Sequence, residues 1–307
     1  MTPRRLLGLD LGGTNIKTAV VEEDREGLRT IASSTAPAHA ARGPDAVVRR
    51  LVELGRDAMG RHGPVDGAGI GVPGLFDRRS GVVRLLPNLP GPWTGHPLSA
   101  SVSEGLGAPV TLVNDARAFT LAEGRMGAGR GRRPLVGVTL GTGVGGGILL
   151  DDTLHLGAWG VAGEIGHQTV LPEGPRCGCG NRGCVEALTQ AEALARLAGR
   201  ATSEDAFAGA RDGDERCRKA VETAAGYLGI ALANVATVLG PAAIVIGGGI
   251  ATVGDLLLES VRQAVRRRAP LVPTDELEIL AAALGPVAGA VGAALAALDD
   301  HPRSSAP

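Results

Sequence analysis

The chain has 307 residues, a net charge of −1, 44% apolar residues and only 2% aromatic ones. That length suggests about two domains, and the near-zero charge gives no footprint for nucleic acid or an anionic membrane. With so few aromatics the core must be built from Ala, Val, Leu and Ile, which suits helices packed closely on sheets.

The opening Met1–Arg5 carries no apolar run of the signal-peptide kind, so a cytoplasmic location is expected. Residues 6–9 and 16–21 are apolar runs around Asp10-Leu11-Gly12-Gly13-Thr14 and read as a β-hairpin. Residues 45–61 carry Val47, Val48, Leu51, Val52 and Leu54 at helical spacing. Residues 67–72 predict a strand ending at Pro73-Gly74, and residues 110–113 another ending at Asn114-Asp115, with a helix over 116–125. Residues 135–140 open a second hairpin, with a glycine turn over 141–147 and a return strand at 148–150. This repeats the first device and fits two similar halves. Helices follow over 190–198 and 215–239, a strand over 243–246 running into Gly247-Gly248-Gly249, and helices over 255–268 and 288–298. The tail after Asp299 reads as polar and disordered. Two stretches, 223–254 and 279–298, lack Asp, Glu, Lys and Arg, but Gly240-Pro241 and Gly285-Pro286 interrupt them. The unbroken parts fall short of the roughly 20 residues that span a bilayer. The alternation of strands and helices is that of an α/β protein.

Cys177, Cys179 and Cys184 fall within eight positions and are interleaved with glycines, ten residues after His167. Cys3His is the donor set of a closed structural zinc site. A disulfide is the alternative, disfavoured in a reducing compartment. An iron–sulfur cluster usually takes four thiolates, and Cys217 is distant in the sequence. Each ligand segment also carries a carboxylate, Glu164 and Glu186.

Glycine turns follow three apolar strands, at 10–14, 141–147 and 247–249. Successive backbone N–H groups in such turns form anion-binding nests. The GxxxxGK[ST] signature of Walker-type NTPases is missing. Asp10 is suited to holding Mg²⁺ through water; its alternative is an Asx-type turn cap. Asp115, just past a strand end, could take a proton from a substrate hydroxyl; its alternative is to N-cap the helix beginning at Ala116. Asn114 offers both donor and acceptor to a sugar hydroxyl.

Together the segments LGLDLGGTNIKTAVV, GIGVPGLFD, LPNLPGPW, VNDA, LGTGVGGG, GEIGH, CGCGNRGCVE and VIGGGIA resemble the ROK family of sugar kinases and repressors, over nearly the whole chain. The resemblance implies an actin-like, hexokinase-type (ribonuclease H-like) α/β fold. Its two domains would be residues 1–116 with 288–307, and residues 117–287, with the active site in the cleft between them. It implies an ATP-dependent hexose 6-kinase, with Asp115 as general base on the 6-hydroxyl. Gly74, Asn88, Asn114, Glu164, His167 and Glu186 would hold the sugar. Gly12, Gly13, Thr14, Thr142 and Gly143 would cradle the ATP phosphates, with Asp10 near Mg²⁺ and Gly248 and Gly249 near the adenosine. His167, Cys177, Cys179 and Cys184 would hold a structural Zn²⁺, the second ring nitrogen of His167 facing the sugar. A dimer or tetramer is implied as well.

The chain departs from the pattern of many relatives at Arg117-Ala118-Phe119 and of glucose-type members at Ala187-Leu188-Thr189-Gln190. The resemblance thereby leaves glucose open against an aminohexose such as kanosamine, N-acetylglucosamine or N-acetylmannosamine. The family's sugar-sensing repressors carry an N-terminal helix-turn-helix, for which Asp10 at the tenth residue leaves no room. Residues 125–133, rich in arginine, could touch polyphosphate as an alternative donor, but read more simply as a solvated loop.

Overall fold

Strands β1 (Arg4–Leu11) and β2 (Asn15–Glu23) form the first hairpin, with Leu7 opposite Val20 and Asp10 opposite Lys17. These two belong to a computed structural model that describes residues 3–249 and 255–301. Ile250 and Ala251 of the third glycine segment, and the tail from Pro302, lie outside the described residues. The chain divides into two compact units, residues 1–122 with 286–307, and residues 123–285.

In the first unit, β3 (Leu28–Pro37) pairs antiparallel with β2, while β4 (Gly67–Val72) and β7 (Val110–Asn114) extend the sheet in parallel from β1. The order is β3-β2-β1-β4-β7. A small hairpin, β5 (Leu75–Phe76) with β6 (Val83–Leu85), follows β4. Helices α1 (Pro44–His62), α2 (Leu98–Leu106), the start of α3 (Asp115–Met126) and the closing α9 (Ala288–Asp300) complete the unit. The alanine- and glycine-rich α9 packs on β1 and β4. A Cβ built on Gly69 would lie 1.8 Å from the Ala293 carbonyl oxygen, so the helix backbone rests directly on the strand. That closeness is how an alanine-built core reaches interior packing density without aromatic bulk.

The second unit repeats the pattern. β8 (Leu135–Leu140), β9 (Val144–Leu150) and β10 (Thr153–Leu154) run antiparallel in sequence, and β11 (Ala243–Gly247) and β12 (Glu278–Ala281) add in parallel to β8. Its order, β10-β9-β8-β11-β12, matches the first sheet position for position. The expectation of two similar halves therefore holds at the level of topology. Helices α4 (Val185–Thr189), α5 (Ala191–Ala198), α6 (Ser203–Arg211), α7 (Glu215–Leu239) and α8 (Asp255–Arg268) cover it. Among the described residues α7 alone is long and apolar enough to cross a bilayer. It packs against α5, α6 and α8, and its buried face, including Val221, Ala225, Leu228 and Leu232, belongs to the core of the unit.

The second glycine turn is shorter than the sequence suggested. Val144 already pairs with Leu140, so Gly145, Gly146 and Gly147 lie in β9 and only residues 141–143 turn. A Cβ on Gly146 would meet the Gly163 carbonyl oxygen at 2.6 Å. These strand glycines thus make room for the GEIGH segment, which lies against β9. Gly247 likewise belongs to β11 rather than to a turn. Eight of the described elements carry too weak a pattern to be anticipated: the mostly exposed edge strand β3, the short strands β5, β6, β10 and β12, and the helices α2, α4 and α6.

Candidate active site and metal centre

Because β1, β4 and β7 are parallel, their carboxyl ends lie along one edge of the first sheet. That edge gathers Asp10, the Gly12-Gly13-Thr14 turn, Gly74 and Asn114-Asp115. The turn closes through the Gly12 N–H donating to the Asn15 carbonyl at 3.0 Å. Thr14 is exposed, and the Asn88 carbonyl oxygen would meet a Cβ on Gly13 at 3.0 Å, so the loop bearing Asn88 lies against this turn.

Asp10 is not a turn cap. It is a strand residue whose carboxylate lies 3.4 Å from Lys17 Nζ on the paired strand and beside Gly289, the second residue of α9. Burial pushes its pKa up from the ordinary value, with Lys17 pulling the other way. Lys17, one of two lysines in the chain, is the partner of Asp10 that the sequence reading did not single out; its rarity was the available signal.

Asp115 is not the helix cap either. Helix α3 begins at Asp115, and Asn114 caps it: its Oδ1 accepts from the N–H groups of Ala116 at 3.1 Å and Arg117 at 3.3 Å. Asp115 itself accepts from the Ala116 N–H at 2.8 Å, in the first turn of the helix. The cap takes up the acceptor of Asn114 and leaves its amide nitrogen to donate. Of the residues that depart from the family pattern, Ala118 and Phe119 are buried, as are Ala187, Leu188 and Thr189. They serve packing.

In the second unit β8 and β11 are parallel, so the 141–143 turn and Gly248 emerge side by side. Gly248 has φ +94°, and a Cβ there would meet the Leu140 carbonyl oxygen at 2.3 Å. Thr142 is exposed, Gly143 half-buried and Gly249 exposed.

The Cys3His expectation becomes a cluster. The ligand atoms of His167, Cys177, Cys179 and Cys184 all lie within 4.8 Å of one another. Cys179 and Cys184 sulfurs are 3.8 Å apart, and Cys177 Sγ is 3.7 Å from His167 Nδ1. Sulfurs bound tetrahedrally at about 2.3 Å from one zinc ion would be ~3.8 Å apart, whereas a disulfide requires about 2.05 Å. The donor set therefore fits zinc. Burial pushes the Cys177 thiol up to about 12, so a thiolate there calls for a bound cation. His167 ends a 3-10 turn (Ile165–His167) that follows Glu164, and turns Nδ1 to the cluster. Cys184 is the N-cap residue of α4, which places Glu186 in the first turn of that helix. Cys217 lies outside the cluster, buried, its sulfur accepting from Arg200 Nε at 3.3 Å.

Glu186 has a partner that its sequence did not announce. Its Oε2 accepts the Val144 N–H at 2.9 Å, and its Oε1 lies 3.5 Å from Cys177 Sγ. The arginine-rich stretch is locally committed: Arg132 pairs with Glu278 and Arg133 with Asp152.

Duplicated sheets with glycine turns at their carboxyl edges, a strand-end carboxylate and a Cys3His cluster define an actin-like, hexokinase-type α/β protein. The ROK family profile matches residues 6–300, and the chain belongs to that family. It is 36% identical to the glucokinase of Thermotoga maritima, over 96% of this chain and 97% of that one. Among solved structures it resembles the ROK hexokinase from Thermus thermophilus, with a TM-score of 0.87, 36% identity and coverage of 96% and 98%. It also resembles a ROK glucokinase from Streptomyces griseus in complex with glucose and AMPPNP, with a TM-score of 0.82, 32% identity and coverage of 96% and 99%.

Proposed function

We propose that this chain is an ATP-dependent kinase that phosphorylates a glucose-like hexose at its 6-hydroxyl. The observation that carries the reading is Asp115, a carboxylate at the first position of α3 just beyond the end of a parallel strand, in a member of a family whose similar proteins include glucokinases. Asp115 accepts the proton of the 6-hydroxyl as that oxygen attacks the γ-phosphorus. The bond from the γ-phosphorus to the β–γ bridging oxygen breaks, and ADP leaves. Phosphoryl transfer asks little more of a protein than alignment and charge stabilisation.

Gly74, Asn88, Asn114, Glu164, His167 and Glu186 hold the remaining sugar hydroxyls, Asn114 as a donor because its Oδ1 caps α3. The turn residues Gly12, Gly13, Thr14, Thr142 and Gly143 cradle the phosphates, Gly12 by closing its turn through Asn15 rather than by donating its own N–H to them, and Gly248 and Gly249 lie toward the adenosine. Asp10 would hold Mg²⁺ through water; when bound, that ion neutralises phosphate charge. His167, Cys177, Cys179 and Cys184 would hold Zn²⁺ as a structural ion that fixes the ring of His167.

The test is ADP release with Mg-ATP over glucose, mannose, glucosamine, kanosamine, N-acetylglucosamine, N-acetylmannosamine and fructose. Glucose is the expected acceptor, and a preference for an aminohexose would reassign the substrate. In Asp115→Asn the rate with the best sugar should fall by about 10²–10⁴-fold, the range for a lost general base, with sugar affinity largely kept. Wild-type turnover in that variant would remove Asp115 from the role.

A further inference from the structure

Val144, the first residue after the second glycine turn, is gripped by both segments of the metal cluster. From one side, the Glu186 carboxylate accepts its N–H at 2.9 Å. From the other, Gly166, adjacent to His167, lies so close that a Cβ there would meet the Val144 carbonyl oxygen at 2.0 Å. A third tether runs from the Ala191 N–H to the Gly141 carbonyl at 2.9 Å, so the stretch that follows Cys184 brackets the turn at both ends. Gly143 completes the arrangement. A Cβ at that position would lie 2.6 Å from Glu186 Oε2, and its φ is not in the left-handed region. A side chain at 143 would therefore push the Glu186 carboxylate off its place against the turn, independently of any close approach by phosphate.

We infer that Glu186 is a positioning residue that couples the metal cluster to the glycine turn: filling the Cys3His site fixes α4 and the GEIGH segment, and these hold Gly143–Val144 in the shape that receives the nucleotide phosphates. The phosphate part of this statement rests on the kinase reading; the coupling itself does not. Cys184 caps α4 at its start and Glu186 lies two residues on, so a metal ion anchoring Cys184 limits where the carboxylate can be. Cys177, 3.5 Å from Oε1, limits it from the other side. A hexose hydroxyl that bonded Glu186 would press on the same carboxylate, so sugar and nucleotide would each feel the other through one side chain.

The experiment is amide hydrogen exchange at Val144, followed in the zinc-loaded wild type, the chelator-stripped wild type, Glu186→Ala and Glu186→Gln, with zinc content measured in each. Exchange at Val144 should rise by about tenfold in Glu186→Ala and in the stripped protein, the scale of one lost hydrogen bond. Glu186→Gln keeps an acceptor oxygen and should restore most of the protection. Ile244, in the buried strand β11, serves as the control and should not change. AMPPNP affinity, read by calorimetry, should follow Val144 protection across the four samples. Unchanged Val144 exchange in either Glu186→Ala or the stripped protein would overturn the coupling, as would an equal rise at Ile244, which would signify global loosening. A kinase reading that failed in the sugar panel would leave the Val144 result standing and would remove only the nucleotide consequence.

Discussion

The N–H of Leu284 donates to the carboxylate of Glu123 at 2.8 Å across 161 residues of sequence. Glu123 is fully buried, and its two oxygens also accept from the N–H groups of Ala283 and Ala128. Glu123 and Leu284 adjoin the two points, after residue 122 and after residue 285, at which the chain passes from one unit to the other. Glu123→Ala would leave three backbone donors without their acceptor. An unsatisfied buried group costs about 1–3 kcal/mol, so a loss of about 3–5 kcal/mol is expected in urea unfolding. A loss under about 1 kcal/mol would mean that water replaces the carboxylate.

Gly69→Ala tests how the first unit is packed. Its new methyl would press on the Ala293 carbonyl oxygen, and backbone on both sides of the contact cannot swing aside as a side chain can. We expect about 3 kcal/mol of destabilisation, the upper part of the overpacking range, or failure to fold. Gly60→Ala, where a Cβ meets nothing within 4 Å, should be neutral or stabilising in the helix.

Cys179→Ser should abolish zinc binding and lower the melting temperature, since a structural metal contributes its binding energy to folding. Cys217→Ser is the matched control, a buried thiol outside the cluster, and should keep full metal content. Equal zinc content in the two variants, by atomic spectroscopy, would refute the ligand set.

Asp10→Asn should separate stability from catalysis. Burial raises the Asp10 pKa in the fold above its ordinary 3.8. Ionised Asp10 thus costs the folded state stability. That cost is absent below the unfolded value, grows as pH rises toward the folded value, and is constant above it. The variant should match the wild type in melting temperature near pH 3 and equal or exceed it near pH 7, while its kinase rate falls. A variant less stable than wild type near neutral pH would mean that the Lys17 ion pair outweighs burial.

The sequence by itself determined a great deal here, because its strongest signals are local. Apolar runs ending in turn residues specified β1, β2, β4, β7, β8 and β11, and the tight spacing of Cys177, Cys179 and Cys184 specified a cysteine cluster, since residues so near in sequence have few ways to be apart in space. Where competing local roles were open, tertiary structure decided. Asn114 rather than Asp115 caps α3, because β7 runs one residue further and the helix starts one residue earlier than the apolar pattern implies. The glycines at 145–147 belong to a strand, because their purpose is contact with a segment 16 or more residues away, which no window of sequence displays. Glu123 with Leu284 and Glu186 with Val144 are of the same kind. A carboxylate seeking a backbone N–H leaves no mark on the partner's side chain, so only the folded chain could bring the two together.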